Sequence, residues 1–151
     1  MRILAGALLT LATACASSNA PVPRPVIEMF QLRGPSDLAY TRGQNTMDAY
    51  FGFRIRNEAQ EPITLRRIDL QSMGDGGYYL RREDQAFNNA IPAGATAEAT
   101  MRARAAYSVT SSGTASREPV TVRAVVYFQT PKGSFQQIVM RNIEQFTTGP
   151  K

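Results

Sequence analysis

Arginine and a lone cysteine are the residues of this chain with the most distinctive chemistry. Four arginine pairs recur: Arg54/Arg56, Arg66/Arg67, Arg81/Arg82 and Arg102/Arg104. Residues two apart on a strand project from one face, so Arg54/Arg56 and Arg102/Arg104 make stripes able to track phosphates or acidic sugars. The formal charge of +5 suits such partners and is almost all arginine, because Lys132 and Lys151 are the only lysines. The stripes also have a structural use. Antiparallel pairing of segment 48–57 with segment 96–105 would bring Arg54 and Arg56 toward Glu98, and Arg102 and Arg104 toward Asp48. Cross-strand ion pairs contribute only roughly 0.2–1 kcal/mol each, yet they fix register and keep an outer face soluble. Adjacent arginines such as Arg66/Arg67 point to opposite faces unless a bulge intervenes.

Catalytic chemistry finds little to work with. The chain has no histidine, hence no imidazole base, ligand or pH sensor. Cys15 is the single cysteine and lies at the end of an apolar leader, so the domain beyond it has no thiol. Serines 108, 111, 112 and 116 have neither a histidine partner nor a Gly-x-Ser-x-Gly elbow. Asp75, among glycines, and the Glu83-Asp84 pair read as turn residues, since calcium takes roughly six to eight oxygens from several spaced acids. Tyr40, Tyr78, Tyr79, Phe87 and Tyr107 fall in or near predicted loops, where they serve as core or rim residues or as a glycan platform without tryptophan. Sequence-reading nucleic-acid motifs are absent. The expectation is a protein that is not an enzyme, with no catalytic or metal site and no cofactor.

The leader reads MRILAGALLTLATAC. Arg2 supplies the positive start, and residues 3–11 form an apolar run too short for the ~20 residues of a membrane span but suited to export. Leu11-Ala12-Thr13-Ala14-Cys15 resembles the lipobox of bacterial lipoproteins. That resemblance implies cleavage before Cys15, diacylation of its sulfur and acylation of the new amino terminus, with residues 1–14 as the signal peptide. Residues 15–24, small, polar and dotted with proline, read as a flexible tether. Ala16 stands where an aspartate would favour inner-membrane retention in enterobacterial lipoproteins, which points to an outer-membrane anchor facing the periplasm.

Beyond the tether the dominant period is two. Ala49, Phe51, Phe53 and Ile55 alternate with Asp48, Tyr50, Gly52 and Arg54. Ala97, Ala99, Met101 and Ala103 repeat the pattern, as do Val120, Val122, Ala124, Val126 and Phe128. Segments 26–32, 63–73, 78–82 and 135–143 complete the set, and the apolar phase of 63–73 switches at Arg66-Arg67 as a bulge requires. Turn residues separate the strands at 57–62, 74–77, 92–94 and 130–133, the last reading as a tight hairpin. About seven short strands predict one antiparallel β-sandwich over 25–147, immunoglobulin- or fibronectin-III-like, followed by a tail at 148–151; an eight-stranded barrel is the rival.

Phe53-Arg54-Ile55-Arg56-Asn57, then Pro62-Ile63-Thr64-Leu65 and Ile68-Asp69-Leu70, give a strand, an asparagine turn and a strand. Together with Ile91-Pro92-Ala93-Gly94, this is similar to the late-embryogenesis-abundant type 2 family, with its water-stress and hypersensitive-response domain. The resemblance implies the fold rather than a function. The functional expectation is a non-catalytic envelope lipoprotein whose sandwich contacts another protein, receiving a strand at an exposed sheet edge. The alternative is a binder of lipopolysaccharide or acidic glycan through Arg54, Arg56, Arg102 and Arg104.

Overall fold

A computed structural model describes residues 24–33, 46–74, 76–107 and 118–144. Cys15, the leader, most of the tether, Tyr40, Asp75, the four serines and the tail lie outside the described residues. Eight strands are present: β1 Val26–Arg33, β2 Thr46–Arg56, β3 Ile63–Met73, β4 Tyr78–Leu80, β5 Glu83–Ile91, β6 Thr96–Tyr107, β7 Val120–Thr130 and β8 Gly133–Ile143. They form two antiparallel four-stranded sheets, ordered β1-β2-β6-β4 and β5-β3-β7-β8. This is the expected antiparallel β-sandwich, with eight strands among the described residues where about seven were expected.

Why these segments pair this way follows from their alternation. The inward residues of β2 (Ala49, Phe51, Phe53, Ile55) and β3 (Ile63, Leu65, Ile68, Leu70) meet those of β7 and an alanine-rich row on β6. Within the first sheet Phe53 sits opposite Ala99, and Phe51 opposite Met101. Small residues beside large rings let the two layers interdigitate. Phe51 and Phe53 are fully buried, a gain of roughly 1.5–3 kcal/mol per ring.

The β2–β6 register is the one the charges suggested, with Arg54 opposite Glu98 and Asp48 opposite Arg104. The bulge in β3 falls between Leu65 and Arg67, and β7 and β8 close as a hairpin with Thr130 opposite Gly133. One strand was not anticipated. Glu83 and Asp84 open β5 rather than a turn, and Phe87 lies within that strand, packed against the core. The inward positions of β5 include Glu83 and Gln85, opposite Leu70 and Ile68, so apolar alternation does not mark it. Tyr78 and Tyr79 lie in β4, within the strand expected over 78–82, with Tyr78 wholly buried and its hydroxyl donating to Gln31 Oε1 at 2.9 Å.

Asn57 ties the ends of four strands together. Its buried amide donates to the carbonyls of Glu61 (2.9 Å), Ile91 (3.1 Å) and Pro92 (3.1 Å), while its Oδ1 accepts from the Ala59 N–H (3.0 Å). Its backbone N–H and C=O bond to Ala95 and Gly94. That second turn closes through Ala95 N–H to Pro92 C=O and holds Gly94 at φ +72°, the left-handed position a type II turn reserves for glycine.

Candidate functional site

All four stripe arginines lie on the outer face of the first sheet, and neighbouring carboxylates neutralise the stripe. Arg54 bridges three strands, its Nη1 3.3 Å from Glu28 on β1 and its Nε 3.3 Å from Glu98 on β6. Its guanidinium also stands 6.0 Å over the Phe30 ring. That ring occupies the space a side chain at Gly52 would need, 2.4 Å from an ideal Cβ. Arg102 pairs with Asp48 at 3.6 Å. Two details differ from the sequence expectation. Arg56 turns to Glu58, 3.8 Å away in the following turn, instead of Glu98, because Glu98 is already held by the arginine directly opposite it. Arg104 faces Asp48 in register, but the ion pair is made by Arg102. Four arginines therefore stand among four carboxylates. Each pair is solvated and worth roughly 0–1 kcal/mol.

The denser electrostatic cluster is on the opposite sheet, and sequence reasoning missed it. Asp69 points outward from β3 yet its side chain is only 7% exposed. Arg67 Nε lies 2.8 Å from its Oδ1, and Arg82 Nη2 lies 3.1 Å from its Oδ2. The Tyr127 hydroxyl of β7 donates to the same Oδ2 at 3.3 Å. Arg67 also stacks on the Tyr127 ring, 4.2 Å from its centroid. Hydrogen bonding to Tyr127, foremost, and the charge of Asp69 outweigh a smaller desolvation and hold the Arg67 guanidinium above its ordinary range. The bulge makes this possible by exposing both Arg66 and Arg67, with Arg66 taking Asn88 Oδ1 of β5 at 2.6 Å. An acid between two core residues, two positions after an arginine, was the available sequence signal.

Two depressions flank this cluster. A shallow one of about 520 Å³ is lined by Arg66, Arg67, Tyr127, Phe128, Phe135 and neighbouring polar residues. A more enclosed, polar one of about 230 Å³ is lined by Asp69, Gln71, Arg82, Arg123, Tyr127 and Gln136, with Val125. Among the described residues no group of three His, Cys, Asp or Glu gathers where it could hold a metal.

The third feature is an edge. Among the described residues no strand pairs with the outer side of β8, an 11-residue strand. Ile138 and Met140 stand on its outward face at 51% and 58% exposure. Its only charged side chain is Arg141, and it contains no proline or lysine.

No family model matches this chain, and no curated protein matches it. Solved structures do resemble its fold. A structural-genomics target designated SoR45 superposes with a TM-score of 0.52 at 11% identity, covering 85% of this chain and 90% of that one. A Bordetella pertussis protein provisionally named ApaA gives a TM-score of 0.51 at 15% identity, covering 85% of this chain and all of its own. At such identities the likeness establishes the β-sandwich and nothing about activity.

Proposed function

We propose that this chain is a non-catalytic cell-envelope lipoprotein, anchored through Cys15, whose sandwich receives an extended segment of a partner protein along β8. The outer edge of β8, to which no described strand is hydrogen-bonded, carries this reading. An edge strand presents a row of free N–H and C=O groups, and proteins that avoid pairing shorten, charge or bend such edges. The other three edges follow that practice. β4 has three residues, β1 breaks its register near Arg33, and β5 opens with Glu83-Asp84. Only β8 is long and nearly uncharged, with apolar side chains on alternate outward positions. A partner strand would gain main-chain hydrogen bonds for affinity and contact with Ile138 and Met140 for specificity.

Anionic polymers fit the stripe of Arg54, Arg56, Arg102 and Arg104 less well, because Glu28, Asp48, Glu58 and Glu98 offset its charge. Affinity purification from detergent-solubilised membranes tests the choice. The partner recovered with wild-type protein is expected to vanish with Ile138→Lys/Met140→Lys, to persist when the four stripe arginines are changed to glutamate, and to withstand high salt. Loss only in the arginine variant, with strong salt sensitivity, would transfer the function to the stripe.

A further inference from the structure

The geometry points to a binding site for a phosphate group in the polar pocket on the outer face of the second sheet. This inference is independent of the β8 reading, and either can fail alone. The pocket walls come from three strands and the link between β4 and β5: Gln71 of β3, Arg123 and Tyr127 of β7, Gln136 of β8, and Arg82. They offer two guanidiniums and two side-chain amides beside the Tyr127 phenol, whose proton is already given to Asp69, so hydrogen-bond donors can converge from several directions. A carboxylate has two oxygens to receive them; a phosphate has more, and arginine forks match its geometry in pairs.

Charge separates this pocket from the stripe on the other sheet. Asp69 forms one wall, but Arg67, which lines the neighbouring depression instead, lies 2.8 Å from it and Arg82 lies 3.1 Å from it. Even with Asp84, the exposed cross-strand neighbour of Asp69 on β5, two carboxylates stand against the three guanidiniums of Arg67, Arg82 and Arg123. Arg123 is half-buried and makes no ion pair among the described residues. The net charge at the pocket is therefore positive. Two of its walls are also anchored before any ligand arrives, because Asp69 pairs with Arg82 and accepts from the Tyr127 hydroxyl. Pre-organised donors lose little freedom on binding. At about 230 Å³ the pocket has room for a phosphate together with part of the group it esterifies.

The test is arginine side-chain NMR on the full-length protein in detergent, titrated with inorganic phosphate and, at equal ionic strength, with chloride. Phosphate is expected to shift the Arg82 and Arg123 guanidinium signals saturably and to leave Arg102 unmoved. Arg123→Gln should weaken phosphate binding about tenfold or more, Arg123→Lys should retain part of it, and Arg102→Gln should leave it unchanged. Glycerol phosphate as a second titrant distinguishes the source: tighter binding than inorganic phosphate assigns an ester such as a lipid headgroup, and equal binding assigns the free ion. Equal shifts from chloride, a response that does not saturate, or the same loss in Arg123→Gln and Arg102→Gln would each overturn the site.

Discussion

Replacing Asn57 by alanine should destabilise the domain by about 3 kcal/mol, although the residue is remote from both sheet faces. The magnitude follows from what each of its bonds leaves behind. Glu61 and Pro92 are at least partly exposed, so water can reach their carbonyls once the amide is gone. The Ile91 carbonyl and the Ala59 N–H belong to residues at 0% and 6% exposure and have no such replacement. A buried polar group left without its partner costs roughly 1–3 kcal/mol, and two such groups give the stated figure. Equilibrium urea unfolding of full-length protein in detergent, followed by far-ultraviolet circular dichroism, measures it. Asn57→Asp sharpens the experiment. It keeps the shape but turns an oxygen toward three carbonyl oxygens, where the neutral carboxylic acid is favoured over the carboxylate. A carboxyl whose folded value is raised is destabilising at neutral pH, so the deficit should shrink as pH falls toward the ordinary aspartate range near ~4. A loss under about 1 kcal/mol for Asn57→Ala, or an Asn57→Asp deficit that ignores pH, would refute the idea that this side chain pins the two turns together.

Phe53→Ala should cost about 3–5 kcal/mol in the same unfolding assay, because the ring is fully buried and the facing Ala99 cannot fill the space. Cys15→Ser is expected to abolish incorporation of labelled fatty acid and leave uncleaved precursor or soluble protein; membrane retention without label would count against the anchor. Burial pushes the Tyr78 phenol well above the ordinary tyrosine range, so it should stay protonated in a spectrophotometric titration that ionises exposed tyrosines. Its stabilising share is present below about pH 10 and declines as pH rises further, since the unfolded chain then ionises it and the folded one resists. Arg54→Ala should change stability by less than about 1 kcal/mol despite its two ion pairs, because all three groups are more than half exposed.

What this chain's residues settle by themselves is the arrangement that local alternation controls. A strand's side chains switch faces at every residue, so the phases of β2, β6 and β7 are written in their apolar positions, and the phase change at Arg66-Arg67 announces the bulge before Asp69. Opposite charges at Asp48, Arg54, Glu98 and Arg104 carry the β2–β6 register as well, since a slip of one residue would bring every partner to the wrong face. Tertiary structure decided everything that depends on which distant segments become neighbours. β5 is a strand because β3 offers it an edge, although its own inward residues are partly polar. Asp69 becomes a buried anchor only when Arg82 and Tyr127 arrive from other elements to join Arg67 of its own strand. β8 is exposed because no described strand follows it in the sheet order. Periodicity records how a segment meets a core; it holds no record of which neighbours that core brings to its outer face.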